Sequence, residues 1–213
     1  MQRQINFADK CVFELDKALT TIWGKPRGSG RQNPAKSIPE AALSDAQRRH
    51  NAALMRVNHA GEVSAQALYQ GQALTAELPE VRASMQQAAV EENDHLIWCQ
   101  QRLSALDGRR SLLNPLWYAG SFALGAIAGK AGDKWSLGFV AETEKQVEAH
   151  LNDHLGKLSA ADAPTEAVLK QMQADEIHHG QQALQAGGVA LPIPVQKLMS
   201  VVSKIMTRSS YWL

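Results

Sequence analysis

The sequence predicts an all-α protein, and three observations lead there. Four long stretches repeat apolar residues at i, i+3, i+4 and i+7, the period of an amphipathic helix. Each is framed by helix start and stop signals: Ser44-Asp45 and Pro79, Glu80 and Asp107-Gly108, Asp133 and Leu158, Asp162-Ala-Pro and Gly187-Gly188. No segment sustains period-two alternation between turn residues, so essentially no sheet is expected. The 213 residues, 45% hydrophobic and 20% charged, suit one folded domain with a short appendage and argue against disorder. A net charge of +1 lacks the basic excess of a nucleic-acid binder. Cys11 and Cys99 form no CxxC pair and are expected as free thiols in a reducing compartment. The opening MQRQINFADK is charged where a signal peptide needs an apolar run, so export is not expected.

The elements follow in order. Phe7, Cys11, Leu15 and Leu19 recur at helical spacing, which predicts an N-terminal helix from Ile5 to Trp23, taken as a unit of residues 1–23. Residues 24–43 are rich in Gly, Pro and basic side chains and read as a flexible linker, with docking on anionic lipid as the alternative. Residues 44–213 form the main domain. Its four long helices make two tight hairpins, joined at Pro79 and at residues 159–163, with residues 108–132 crossing between them. Two short-looped hairpins and one long crossover is the connectivity of a ferritin-like four-helix bundle. The crossover reads SLLNPLWYAGSFALGAIAG from Ser111 to Gly129, without a charge. Asn114, Pro115 and repeated glycine make it a poor membrane span, so a buried or interfacial helix is expected over residues 111–131. In the tail, residues 191–213, Val195, Leu198, Met199, Val202, Ile205 and Met206 share one helical face opposite Lys197, Lys204 and Arg208. That pattern fits an amphipathic helix on a membrane surface or a last helix packed on the bundle.

The chemistry lies in the apolar stripes. The second long helix runs Met85, Ala88, Glu92, Leu96, Cys99; the third runs Val140, Glu144, Val147, Leu151; the fourth runs Leu169, Met172, Glu176, His179, Ala183. Each carries a glutamate where a core residue belongs, and Glu62 sits similarly in the first. Buried carboxylates cost several kcal/mol each unless neutralised, on the order of the penalties for buried ions. Interior cations resolve that cost. Glu92-Asn-Asp-His95 and Glu176-Ile-His-His179 are both Glu-x-x-His, which puts carboxylate and imidazole on one face about one turn apart. Glu62 precedes Glu92 by 30 positions and Glu144 precedes Glu176 by 32, so each hairpin supplies Glu and then Glu-x-x-His. Four Glu and two His from four helices is a di-iron or di-manganese ligand set. Oxygen-rich sites with two imidazoles suit iron or manganese better than zinc. Glu91, Asp175 and His178 fall off the stripes; Glu91 is expected toward solvent or around the site, and Asp175 and His178 about 100° away from the stripe. His150 is expected around the site or at the surface, and His59 and His50 on a polar face or around the site.

The block MRVNHAGEVSAQALYQGQ at Met55–Gln72, with Glu92/His95, Glu144/His150 and Glu176/His179, resembles the demethoxyubiquinone hydroxylase family, ferritin-like di-iron enzymes of ubiquinone biosynthesis. The resemblance covers roughly residues 44–213. It implies hydroxylation of the ring of a polyprenylated methoxy-methyl-benzoquinol, with dioxygen as co-substrate and electrons from an external reductant. It implies two iron ions, manganese being the lesser alternative, held by Glu62, Glu92, His95, Glu144, Glu176 and His179, with Glu92 and Glu176 shared. His150 matches a family histidine beside the site, although Leu151 follows where the family often has an aromatic residue or histidine. No Rossmann, flavin or iron–sulfur motif is present. The implied partners are the quinol and a membrane surface, with other ubiquinone-biosynthesis proteins or a second copy of the chain also compatible. The implied location is peripheral, on the cytoplasmic face of the inner membrane. Two rivals stand beside this reading: another ferritin-like di-metal protein, a ferroxidase or peroxidase, and a membrane-associated quinone carrier with structural metal.

Overall fold

The structure, a computed structural model, describes residues 6–40 and 42–213, and among them every regular element is a helix. The helices are α1 (Phe7–Trp23), α2 (Asp45–Thr75), α3 (Pro79–Ala105), α4 (Asn114–Lys130), α5 (Asp133–Lys157), α6 (Ala163–Gln185) and α7 (Ile193–Trp212). The expected start of the first helix at Ile5 lies outside the described residues. Asn6 caps α1 and Ser44 caps α2, each in a reciprocal box with the residue three positions on, Asp9 and Gln47. Asp162 caps α6 through Thr165 N, and Gly187, at φ +102°, turns the chain out of it. The α3 stop differs in detail: Asp107, not Gly108, takes the left-handed conformation, at φ 53°. Gly108 is instead pressed against Ala52 and Leu103.

Hairpins α2–α3 and α5–α6 form the bundle, with α4 crossing between them as the connectivity predicts. One apolar cluster gathers Met55, Trp98, Cys99, Leu103, Leu151, Leu169 and Met172; another gathers Tyr69, Val81, Met85, Leu137, Val140 and Ala183. Every bundle helix feeds both clusters, and on each the stripe glutamate falls between its two contributions. Burying a leucine or methionine fully contributes about 1.5–3 kcal/mol, so the clusters clamp the charged layer from both sides.

At the first cluster's end sits a closed polar network. The Arg102 guanidinium, 2% exposed, meets Asp162 at 3.1 Å, Thr165 Oγ1 at 3.1 Å and Glu40 at 2.6 Å. Asp162 also accepts from Asn51 Nδ2 at 2.8 Å, Thr165 N at 3.1 Å and Thr165 Oγ1 at 2.8 Å.

Three peripheral helices depart from, or decide between, the sequence readings. The crossover helix α4 lies on α2 with almost no spacer: a Cβ on Gly125 would stand 2.2 Å from Leu68 O, and one on Gly71 2.3 Å from Phe122 O. Its other side exposes Leu116, Leu124 and Ile127, with Leu112 exposed just before the helix. Among the described residues no helix is long and apolar enough to cross a membrane. The tail helix α7 does pack on the bundle, through Met206 on Ser64, buried Ser210 on Trp117 Nε1, and Tyr211 on His50. Yet its apolar face, including Leu198, Val202 and Ile205, stays exposed, so both features of the two readings coexist. On α1, Ile22 enters the core while Leu15 and Leu19 of the predicted stripe face outward with Val12 and Phe13.

Within the stretch read from composition as a flexible linker, residues 27–40 run as a strap along α3. Asn93 Nδ2 donates to Arg27 O, Asn33 meets Gln101, and Ser29 and Arg31 bind Asp94. Gly28 lies close against α3 at Asp94, whereas Gly30, at φ +93°, has open space around it. Cys11 is exposed and Cys99 buried; both are free thiols.

Candidate metal centre

Glu62 of α2, Glu92 and His95 of α3, Glu144 of α5, and Glu176 and His179 of α6 converge in the buried layer between the two clusters. They form two overlapping groups, Glu62/Glu92/His95/Glu176 and Glu92/Glu144/Glu176/His179. Within each group one ligand-type atom per residue lies within 4.8 Å of all the others. Glu92 and Glu176 belong to both. His95 Nδ1 stands 3.0 Å from Glu92, 3.2 Å from Glu176 and 3.8 Å from Glu62. His179 Nδ1 stands 2.9 Å from Glu92 and 3.4 Å from Glu176. The rings lie 6.4 Å apart, one on each side of the shared carboxylates.

Glu91 takes the second of its two expected places, around the site, and Asp175, off its stripe as expected, also reaches it. Asp175 Oδ2 lies 2.8 Å from His95 Nε2, and Glu91 Oε2 lies 2.9 Å from His179 Nε2. Each hairpin lends the other an acid: α6 holds the α3 histidine, and α3 holds the α6 histidine. The reason is geometric, because a ring whose Nδ1 faces the bundle axis turns Nε2 toward the neighbouring helix, where the off-stripe residue points. The signal was in the sequence, since both motifs read acid-Glu-x-x-His. His178, the other off-stripe residue, is exposed and meets Gln182 at 2.8 Å.

Tyr69 is a second addition: its hydroxyl donates to Glu144 Oε1. It follows Glu62 by seven residues, two turns along the same face, which is how the sequence encodes it. His59 and His150 lie elsewhere. His59 is fully buried and meets Asn114 of α4 at 3.3 Å, fastening the crossover to α2. His150 packs on His154, with ring centroids 3.9 Å apart. His50 bridges Tyr211 at 2.8 Å and Lys157 O at 3.0 Å.

The electrostatics are those of a site built for positive charge. Burial, together with Glu92 and Glu176 for Glu62 and with Glu176 and Glu92 for Glu144, holds both carboxyls well above the usual carboxylate range. Burial also opposes ionisation of Glu92, but His95 and His179 outweigh it and hold Glu92 low. Burial opposes charge on the histidines, yet the surrounding carboxylates push His179 up to about 12 and His95 upward likewise. In the protein alone, protons on these two rings are the nearest substitute for cations.

The donor set fits metal ions. Glu62 Oε2, Glu176 Oε2 and His179 Nδ1 are buried and make no hydrogen bond within the protein. Such orphans cost about 1–3 kcal/mol each, more for charged groups. With Nε2–H given to Glu91 or Asp175, each imidazole keeps the Nδ1 lone pair for an ion in the carboxylate layer. Six buried O and N donors in two sharing groups can hold a pair of ions, and harder, oxygen-preferring metals suit them. Beside the centre a cavity of about 200 Å³, lined by Tyr69, Glu91, His179 and Val140 among others, reaches toward the surface.

Comparison with known proteins agrees with this geometry. The family described as ubiquinone biosynthesis protein COQ7 matches residues 49–210, a span that contains all six converging residues. A Nitrosococcus oceani protein named 3-demethoxyubiquinol 3-hydroxylase is 56% identical over 211 residues, covering 99% of this chain and 99% of its own. Proteins of the same name from Acinetobacter baumannii (55% over 205 residues, 96% of this chain and 97% of the relative) and Legionella pneumophila (54% over 212 residues, 99% and 100%) are nearly as similar. A match across the whole bundle, and relatives more than half identical almost end to end, make this chain a member of the COQ7 family of ubiquinone biosynthesis proteins.

Proposed function

We propose that this protein hydroxylates the ring of a polyprenylated methoxy-methyl-benzoquinol, demethoxyubiquinol, with dioxygen, a late step of ubiquinone biosynthesis. Its relatives carry the name of that reaction over nearly their whole length. The observation that carries the reading to this chain is the pair of overlapping Glu/His groups sharing Glu92 and Glu176. Glu62, Glu92, His95 and Glu176 would hold one iron ion, and Glu92, Glu144, Glu176 and His179 the other. When bound, the ions would provide redox chemistry toward dioxygen, with electrons drawn from an external reductant. The chain's own groups do the rest. Asp175 and Glu91 fix the histidine tautomers, and Tyr69 holds Glu144 in one orientation while keeping a proton beside the centre. The apolar clusters above and below exclude water from a reaction that water would quench.

A greasy substrate calls for a membrane surface, and the outer helices support peripheral attachment to the cytoplasmic face of the inner membrane. Exposed apolar side chains of α1, α4 and α7 (Phe13 and Leu15, Leu116 and Ile127, Leu198 and Ile205) have no partner in the bundle. Where α2 begins, α3 ends and α7 closes, a recess of about 630 Å³ presents Arg48, Arg49, Arg56 and Arg109 beside Tyr211 and Trp212, suited to anionic headgroups.

The test is turnover of demethoxyubiquinol by purified protein with ferrous iron, a reductant and isotopically heavy dioxygen. Label in the new ring hydroxyl is the expected result. Iron oxidation without labelled quinol would indicate a ferroxidase, and quinol binding without turnover a carrier. For attachment, Leu124→Glu and Val202→Glu should release the protein from anionic vesicles while leaving iron content intact.

A further inference from the structure

The family match begins at residue 49, so the strap lies outside it, yet the strap reaches the metal centre. Ser29 N donates to Asp94 Oδ1 at 3.0 Å, and Ser29 Oγ donates to Asp94 Oδ2. Arg31 Nε meets Asp94 at 3.1 Å and Arg31 Nη1 meets Asp175 Oδ2 at 2.8 Å. The guanidinium carbon stands 5.0 Å over the Trp98 ring. Arg31 Nη2 lies 3.5 Å from His95 Nε2. Asp175 Oδ2 is therefore shared between Arg31 and His95.

We propose that the strap is a working part of the metal centre, with Arg31 a positioning residue that aligns His95 through Asp175 and so supports one ion position more than the other. The inference rests on Glu62, Glu92, His95 and Glu176 holding an ion. The two histidines are anchored alike except at this point. Behind Glu91, which holds His179, stands the neutral amide of Gln87 at 2.9 Å. Behind Asp175, which holds His95, stand the amide of Gln171 at 3.0 Å and a cation delivered by the strap. A planar guanidinium spans Asp94 and Asp175 at once, whereas an ammonium offers one compact charge and loses that bridge. Asp94, buried and gripped by the Ser29 backbone and hydroxyl, sets where the guanidinium stands. Gly28 makes the approach feasible: a Cβ there would lie 2.0 Å from Asp94 Oδ1 and 3.2 Å from Ile97 Cδ1. Gly28→Ala therefore pushes the strap away without deleting any side chain.

The experiment titrates metal-free full-length protein with Co(II) under anaerobic conditions, following absorption and magnetic circular dichroism. Parent protein is compared with Arg31→Ala, Arg31→Lys, Gly28→Ala and Glu176→Ala. The expected result is that Arg31→Ala weakens one cobalt about 10- to 100-fold, the usual cost of removing an outer partner of a metal-bound histidine. The other cobalt keeps its affinity and its ligand-field bands. Gly28→Ala should reproduce this pattern, and Arg31→Lys should restore it only in part. Two unchanged cobalt sites in Arg31→Ala would overturn the proposal. So would equal weakening of both together with a lower melting temperature of the metal-free protein, which would make the strap a structural brace. Retention of both ions by Glu176→Ala would instead show that the ligand reading is wrong, and the proposal would fall with it.

Discussion

Two sets of buried carboxylates occupy one bundle, and they are finished differently. Asp162 is closed: Arg102, Asn51 and Thr165 engage both of its oxygens, and its negative charge has a permanent partner. Glu62, Glu92, Glu144 and Glu176 are packed as deeply, but among the described residues two histidines are the cationic groups set among them, and Glu62, Glu92 and Glu176 each keep an orphaned oxygen. The first arrangement is complete as folded protein; the second is complete only with added positive charge. Burial alone therefore says little about a carboxylate's role. What separates scaffold from site is whether the chain supplies the counter-charge.

The sharpest way to break that comparison is Arg102→Ala. It strands Asp162 without its cation and should cost about 3–5 kcal/mol, measured by urea unfolding of metal-free protein. A loss below about 1 kcal/mol would mean that Asp162 is not held as an ion pair. Adding metal tests the other side. Ions at a hundredfold excess over Kd should stabilise the parent by about 2.7 kcal/mol for each ion bound, and a chelator should remove the gain. The Arg102→Ala protein should gain the same increment, because Arg102 belongs to the scaffold.

A third kind of buried ionisable group, held neutral by burial, gives an effect that grows with acidity. Burial depresses His150 to about 4 and, with His150 and Lys157 nearby, His154 to about 2, against 6.5 for a free histidine. The unfolded chain then binds more protons than the native state below pH 6.5. Stability is full above 6.5 and falls on acidification by about 1.4 kcal/mol per pH unit for each ring. Measured between pH 6.5 and 4, the double variant His150→Gln/His154→Gln should show a flatter acid limb than the parent; parallel curves would refute this. Smallest of all is the stability effect of Glu144→Gln. Burial and its acidic neighbours already favour the protonated carboxyl, so metal-free stability should stay within about 1 kcal/mol. Cobalt stoichiometry should nevertheless fall from two to one, the reverse of the Arg102→Ala pattern.

The bundle and its six converging residues were legible because periodicity converts position into direction. Glu92 between Ala88 and Leu96 has only one way to point, and the same holds for Glu144 and Glu176. Glu91 and Asp175 were half legible: their place off the stripe is correct, but which neighbour a side chain meets off the stripe depends on helix packing. Arg31 and Asp94 were not legible. They are 63 residues apart, no helical period links them, and a Gly/Pro-rich strap looks the same in sequence whether it floats or docks. The outward stripe of α1 shows the same limit, since an amphipathic pattern does not name what its apolar side touches.

The exchange of acids between hairpins also bears on the order in which the molecule can be made. Synthesis releases α1 and the strap before α2 and α3 with Glu62, Glu92 and His95, and α5 and α6 only after the crossover. Until α6 emerges, His95 lacks the acid that fixes its tautomer, and Glu92 lacks the second carboxylate with which it shares an ion. A half-made chain presents loose, mismatched donors, so ion capture in the final arrangement belongs to the finished chain. The strap, with its arginine, is translated well before α6 and waits for the Asp175 that comes with it.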